Sequence, residues 1–182
     1  MKSNLKSRRL VYLGIWSALT IALGMYVKIQ TPVGIFTPMC DVGVFLAAFL
    51  FGARGGFVVG ARGGFVVGAT SGFLIDLFSG APEWMFFSFM IHGFQGFVTG
   101  KVAEVNTGLV NKKELSLGWR IMSLIIGGFV MVVGYACAGS LLYGWRASIV
   151  QVPSNIVQTG VGIAVTLVME VAIKPLRKLS LC

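Results

Sequence analysis

A chain of 182 residues that is 56% hydrophobic and only 12% charged, with mean hydropathy +0.87, is excluded from the soluble globular class, whose charged fraction is nearer about a quarter. At roughly 20 residues per crossing of a ~30 Å hydrocarbon core, the length holds about six spans and leaves no room for a soluble catalytic or nucleotide-binding domain. The net charge of +9 would point to nucleic acid in a soluble chain, but here the basic residues fall between apolar runs and report orientation in the bilayer instead, so no nucleic-acid partner is expected.

Taken in chain order, the apolar runs cover residues 10–27, 42–51 with a continuation, 63–78, 84–102, 121–143 and 153–173. Loops with Pro32, Pro38 and Pro82 and the polar stretch 104–120 separate them. The first run follows Lys2, Lys6, Arg8 and Arg9 like a signal peptide, yet it lacks a small-x-small cleavage site and five more runs follow, so it is read as a helix. The expected fold is an all-α integral membrane protein: one membrane domain over 1–182, a bundle of six transmembrane helices with cytoplasmic N- and C-termini. Charge supports that topology. It puts Lys2, Lys6, Arg8, Arg9, Arg54, Arg62, Lys101, Lys112, Lys113, Arg120, Lys174, Arg177 and Lys178 inside, and Lys28 and Arg146 outside. The location expected is a bacterial plasma membrane, crossed several times.

Residues 53–60 (ARGGFVVG) recur unchanged as 61–68. Two copies are too few for a repeat architecture. They do preserve a longer spacing, with Gly52, Gly56, Gly60, Gly64, Gly68 and Gly72 all four apart, a ridge on which a neighbouring helix can approach closely. One helix through both copies would place Arg62 inside the bilayer, at about 2.5–3.5 kcal/mol. The preferred reading keeps Arg54 and Arg62 at the cytoplasmic surface, with one copy extending a loop or a helix end.

The first helix carries Gly14, Ala18 and Ala22 at four-residue spacing, a stripe for close packing either inside the bundle or against another protein. On the fourth, Trp84, Ser88, His92 and Gln95 share one face, and His92 is the only histidine. Counted from the outer surface, His92 lies ~12 Å deep, where a polar side chain faces a cavity or another helix. Pro153 suits the first turn of the sixth helix, with Asn155 and Gln158 three apart on one face, able to read the edge of a small heterocycle or to bond between helices. Glu83 and Trp84 at the outer mouth offer an acceptor and a stacking surface, although an interfacial tryptophan also serves as a plain anchor.

Other chemistry is missing. Cys40, Cys137 and Cys182 are odd in number and far apart, so neither a metal site nor a disulfide framework is expected. There is no P-loop, so any ATP must be hydrolysed by a partner. Asp41, Asp76 and Glu83 fall near the outer loops, Glu104 and Glu114 in the inner loop and Glu170 near an inner helix end, with no evident proton relay. Ser71 with His92 faintly suggests an intramembrane serine protease. A self-sufficient small-solute carrier or a membrane scaffold would also be compatible with these features.

The order of these features resembles the substrate-binding S component of energy-coupling factor (ECF) vitamin transporters. The sequence Ile91-His92-Gly93-Phe94-Gln95-Gly96 looks like the H-G-x-Q-G pattern of that family's fourth helix, and Pro153-Ser154-Asn155-Ile156-Val157-Gln158 like its P-x-N-x-x-Q sixth-helix start. The resemblance implies a non-enzymatic, high-affinity subunit that captures a water-soluble vitamin or precursor from outside, of the hydroxymethylpyrimidine or pyridoxine type. It implies docking, through Ala18 and Ala22 with Gly14 extending the stripe, on a transmembrane coupling subunit driven by two cytoplasmic ATPases. The chain itself would need no cofactor. The ligand would lie in the outer half under the loops after helices one, three and five, where Glu83, Trp84, Ser88, His92, Gln95, Asn155 and Gln158 are the expected contacts.

Overall fold

The structure, a computed structural model, describes residues 2–31, 34–52, 59–107 and 115–173. The first copy of the duplication with Arg54, the inner-loop Lys112, Lys113 and Glu114, and the C-terminal Lys174, Arg177, Lys178 and Cys182 lie outside the described residues.

Among the described residues there are six helices, α1 (Lys2–Tyr26), α2 (Pro38–Gly52), α3 (Val59–Ser79), α4 (Met85–Thr107), α5 (Leu117–Tyr143) and α6 (Trp145–Ile173). A short antiparallel hairpin of β1 (Ile29–Thr31) and β2 (Gly34–Phe36), with Ile29 opposite Phe36, occupies the proline loop after α1. The exterior is apolar, and the interior mixes apolar clusters with buried polar side chains, whereas a soluble bundle presents a polar surface. Phe129 is 66%, Leu141 78% and Val168 75% exposed, while Asp41 and Gln95 are fully buried. Such an exterior is what a hydrocarbon solvent selects. Two of the described helices, Leu117–Tyr143 and Trp145–Ala172, are each long and apolar enough to cross a membrane. The 15 residues of α2 rise only about 22 Å, and its segment 41–50 is buried throughout, making it the central post of the fold.

Glycine spacing decides how α3 meets α4. A methyl group on Gly64 would collide with the carbonyl oxygen of Gly96, and one on Gly68 with that of His92. One on Gly72 would come within 2.6 Å of the Ser88 carbonyl oxygen. The ridge thus sets three successive turns of α3 directly against the α4 face that carries Ser88 and His92. Its members Gly52, Gly56 and Gly60 are not part of that described contact. The second copy of the duplication lies in α3, and α2 and α3 are separate helices. Phe51 sits 2.6 Å from where a Gly63 side chain would begin, whereas a continuous helix would hold those residues about 18 Å apart.

Three expected boundaries are corrected. α6 begins at Trp145, eight residues before Pro153, which lies inside the helix and leaves the Ile149 carbonyl without its usual donor. Only Gly144, at φ +85°, joins α5 to α6, a conformation glycine adopts without strain. The first-turn proline is instead Pro38, which opens α2, where the missing N–H costs nothing. Finally, Glu104 and Arg120 are not in a loop: α4 runs on to Thr107 and α5 starts at Leu117. There Arg120 reaches Glu170 of α6 at 3.4 Å, and Glu170 is 1% exposed.

Candidate functional site

At the end of the bundle away from the termini, the α1–α2, α3–α4 and α5–α6 junctions surround a cavity of about 600 Å³. Its rim holds Phe36, Glu83, Trp84 and Tyr143, its walls Asp76, Tyr135 and Asn155, and its base Cys40, His92 and Gln158. The Trp84 ring lies 5.6 Å from that of Tyr135 and 5.7 Å from that of Tyr143, both tilted by 45°. Glu83 is exposed and accepts a hydrogen bond from the Tyr143 hydroxyl at 3.1 Å.

A buried polar chain supports that base. The carboxylate of Asp41 in α2 accepts from Gln95 Nε2 at 2.6 Å and Gln158 Nε2 at 2.9 Å. Gln158 Oε1 in turn accepts from the backbone N–H of Thr37 at 2.9 Å, pinning the end of the hairpin loop to α6. Because both amide N–H groups point to the carboxylate, the Gln95 oxygen faces His92 Nδ1 at 2.7 Å, and Nδ1 carries the proton. The other ring nitrogen, Nε2, lies 3.1 Å from the Tyr135 hydroxyl, and that hydroxyl lies 2.6 Å from Ser88 Oγ. Each member has a defined partner, which in a low-dielectric interior makes the network rigid and costly to interrupt.

Of the residues expected from sequence, Glu83, Trp84, His92, Asn155 and Gln158 line the cavity, whereas Ser88 and Gln95 stand one layer behind and hold Tyr135 and His92 in place. Gly14, Ala18 and Ala22 are exposed on α1, and a side chain on Gly14 would meet nothing within 4 Å. The stripe is free of the bundle's own packing. The Ser71–His92 pair does not form: both ring nitrogens are engaged elsewhere, and the buried Ser71 Oγ has no hydrogen-bond partner. Placing Asp41 near an outer loop also missed its role. An acid immediately before the apolar run of α2 was the available signal, since a carboxylate buried there persists only with partners. Tyr135 carried no comparable signal, because its neighbours Ser88 and His92 are more than forty residues away.

A helical bundle with an apolar exterior and a polar-floored cavity open at one end is the architecture of a membrane protein that captures a small polar solute. The chain belongs to the S components of ECF transporters: the family model described as "ECF-type riboflavin transporter, S component" matches residues 4–175. It is 36% identical over 177 residues to the thiamine precursor transporter HmpT of Lactococcus lactis subsp. cremoris (strain MG1363), covering 93% of this chain and 90% of that one. A Pyrococcus woesei protein described only as uncharacterised is 31% identical over 126 residues, 69% of this chain and 73% of its own length. The chain is therefore a substrate-capture subunit of an ECF-type importer, and transporters rather than enzymes are its kin.

Proposed function

We propose that this subunit captures hydroxymethylpyrimidine, with pyridoxine as the second candidate, and hands it across the membrane without altering it. The observation that carries the reading is the cavity: a concave site with aromatic walls and with His92, Asn155 and Gln158 presented to it suits a small neutral or cationic heteroaromatic. The likeness to a thiamine precursor transporter over nearly the whole chain supports a pyrimidine over the riboflavin of the family description. Six crossings with cytoplasmic termini put the cavity outside, as the Lys and Arg distribution favours. The exposed Gly14, Ala18 and Ala22 stripe meets the transmembrane coupling subunit, and two cytoplasmic ATPases supply the energy, since the chain holds no P-loop.

Titration calorimetry of the purified chain against hydroxymethylpyrimidine, pyridoxine, riboflavin and other B-vitamins tests the ligand. Tight, unaltered binding of one of the first two is expected; silence across the panel rejects the reading. Proteoliposomes test the coupling. Ala18→Trp should bind ligand normally yet abolish ATP-dependent uptake with the partner subunits present, and concentrative uptake by the lone chain would refute the assignment.

A further inference from the structure

The charge around the cavity is one-sided. Asp76 of α3 and Glu83 both line it, and among the described residues no lysine or arginine does. Glu83 is exposed and bonded to Tyr143. Asp76 differs: it is half-buried, its Oδ2 is buried without a hydrogen-bond partner, and the hydroxyl that faces it is that of Ser88. Ser88 has a single proton. That hydroxyl also lies 2.6 Å from the Tyr135 hydroxyl, so Tyr135 and Asp76 share it, and it leaves Asp76 Oδ2 without a partner. A buried carboxylate oxygen without a hydrogen-bond partner is unfavourable, and a donor bound in the cavity would supply one to Oδ2. The rings of Trp84, Tyr135 and Tyr143 beside it add π faces that attract positive charge.

We propose that Asp76 is the specificity-determining anchor of the cavity, taking the amino or protonated ring-nitrogen edge of a cationic or N–H-donating heteroaromatic and discriminating against the oxo analogue of the same shape. This deepens the proposed function and rests on it. At the amino position an oxo group would bring a second acceptor against the carboxylate, whereas an amino group brings a donor for Oδ2.

The test is calorimetry on the purified full chain with a matched pair: hydroxymethylpyrimidine, which carries a ring amino group, and its analogue with oxo in place of amino. The unmodified protein should bind the amino compound at least about tenfold more tightly. Asp76→Asn should weaken the amino compound by roughly ten- to hundredfold, leave the oxo compound little changed and erase the preference, while Asp76→Glu restores part of it. The melting temperature of ligand-free Asp76→Asn should hold or rise, because a partly buried carboxylate whose Oδ2 has no hydrogen-bond partner has been removed. Equal affinity of the unmodified protein for the pair overturns the proposal, and that comparison decides even if the asparagine variant does not fold. A parallel fall for both compounds with a lower melting temperature also overturns it, since Asp76 would then be structural. Binding of riboflavin or pyridoxine with no amino preference rejects this anchor alone, whereas silence toward every compound rejects the proposed function and the anchor with it.

Discussion

The two ends of the bundle treat buried charge differently. Toward the termini, Glu170 is buried beside a basic partner, Arg120, in an ion pair that ties α6 to α5 over the apolar cluster of Phe45, Phe49 and Leu124. At the cavity end no lysine or arginine among the described residues enters the site; Asp41 is held by two side-chain amides, with His92 3.9 Å away, and Asp76 stands in the wall. A charge neutralised within the fold serves the fold. Charge and hydrogen-bonding capacity left facing a cavity are available to a ligand. The difference can be tested by changes that act on one end and not the other.

The largest effect is expected where α3 meets α4, because that contact builds the cavity wall from backbone alone. Gly68→Leu drives a side chain into the His92 carbonyl, and neither backbone can yield; a loss of about 3 kcal/mol or more, with binding abolished, should appear in thermal unfolding and titration together. At the opposite end, Glu170→Ala leaves the Arg120 guanidinium without that carboxylate and should cost about 3–5 kcal/mol of stability. Ligand affinity of the folded fraction should change less than about twofold, measured by calorimetry below the melting transition; a large affinity loss would show that the two ends are coupled.

At the cavity end the order of effects reverses. His92→Ala and Asn155→Ala should each weaken binding by about 1–3 kcal/mol, or five- to a hundredfold, in titration of the purified variants. His92→Ala should also release Tyr135 and Gln95, so its melting temperature falls, whereas that of Asn155→Ala stays near the parent value. Normal binding by both with collapsed stability would make them structural. The smallest effect belongs to the rim. Tyr143→Phe removes one exposed hydrogen bond to Glu83 and should shift affinity by about 0.5–1 kcal/mol with no change in melting temperature.

What the sequence alone determined was the class of protein, the helical runs and the face of α4 that carries Ser88, His92 and Gln95, with Trp84 in the turn just before it. Those follow from composition and from periodicity, which are local and repeat along the chain. The P-x-N-x-x-Q stretch was legible as chemistry but misplaced as a helix start. Only the contact of α5 with α6 across Gly144 showed that the helix runs on through the proline, because propensity is a weak prior that packing overrides. The division of labour within the site was not legible either. Whether Gln95 faces a ligand or a carboxylate depends on Asp41, fifty-four residues away, and the link from Gln158 to Thr37 spans one hundred and twenty-one. The tertiary structure decided those partnerships, because a hydrogen bond is fixed by distance and direction in space, and spacing along the chain records only which groups share a helical face.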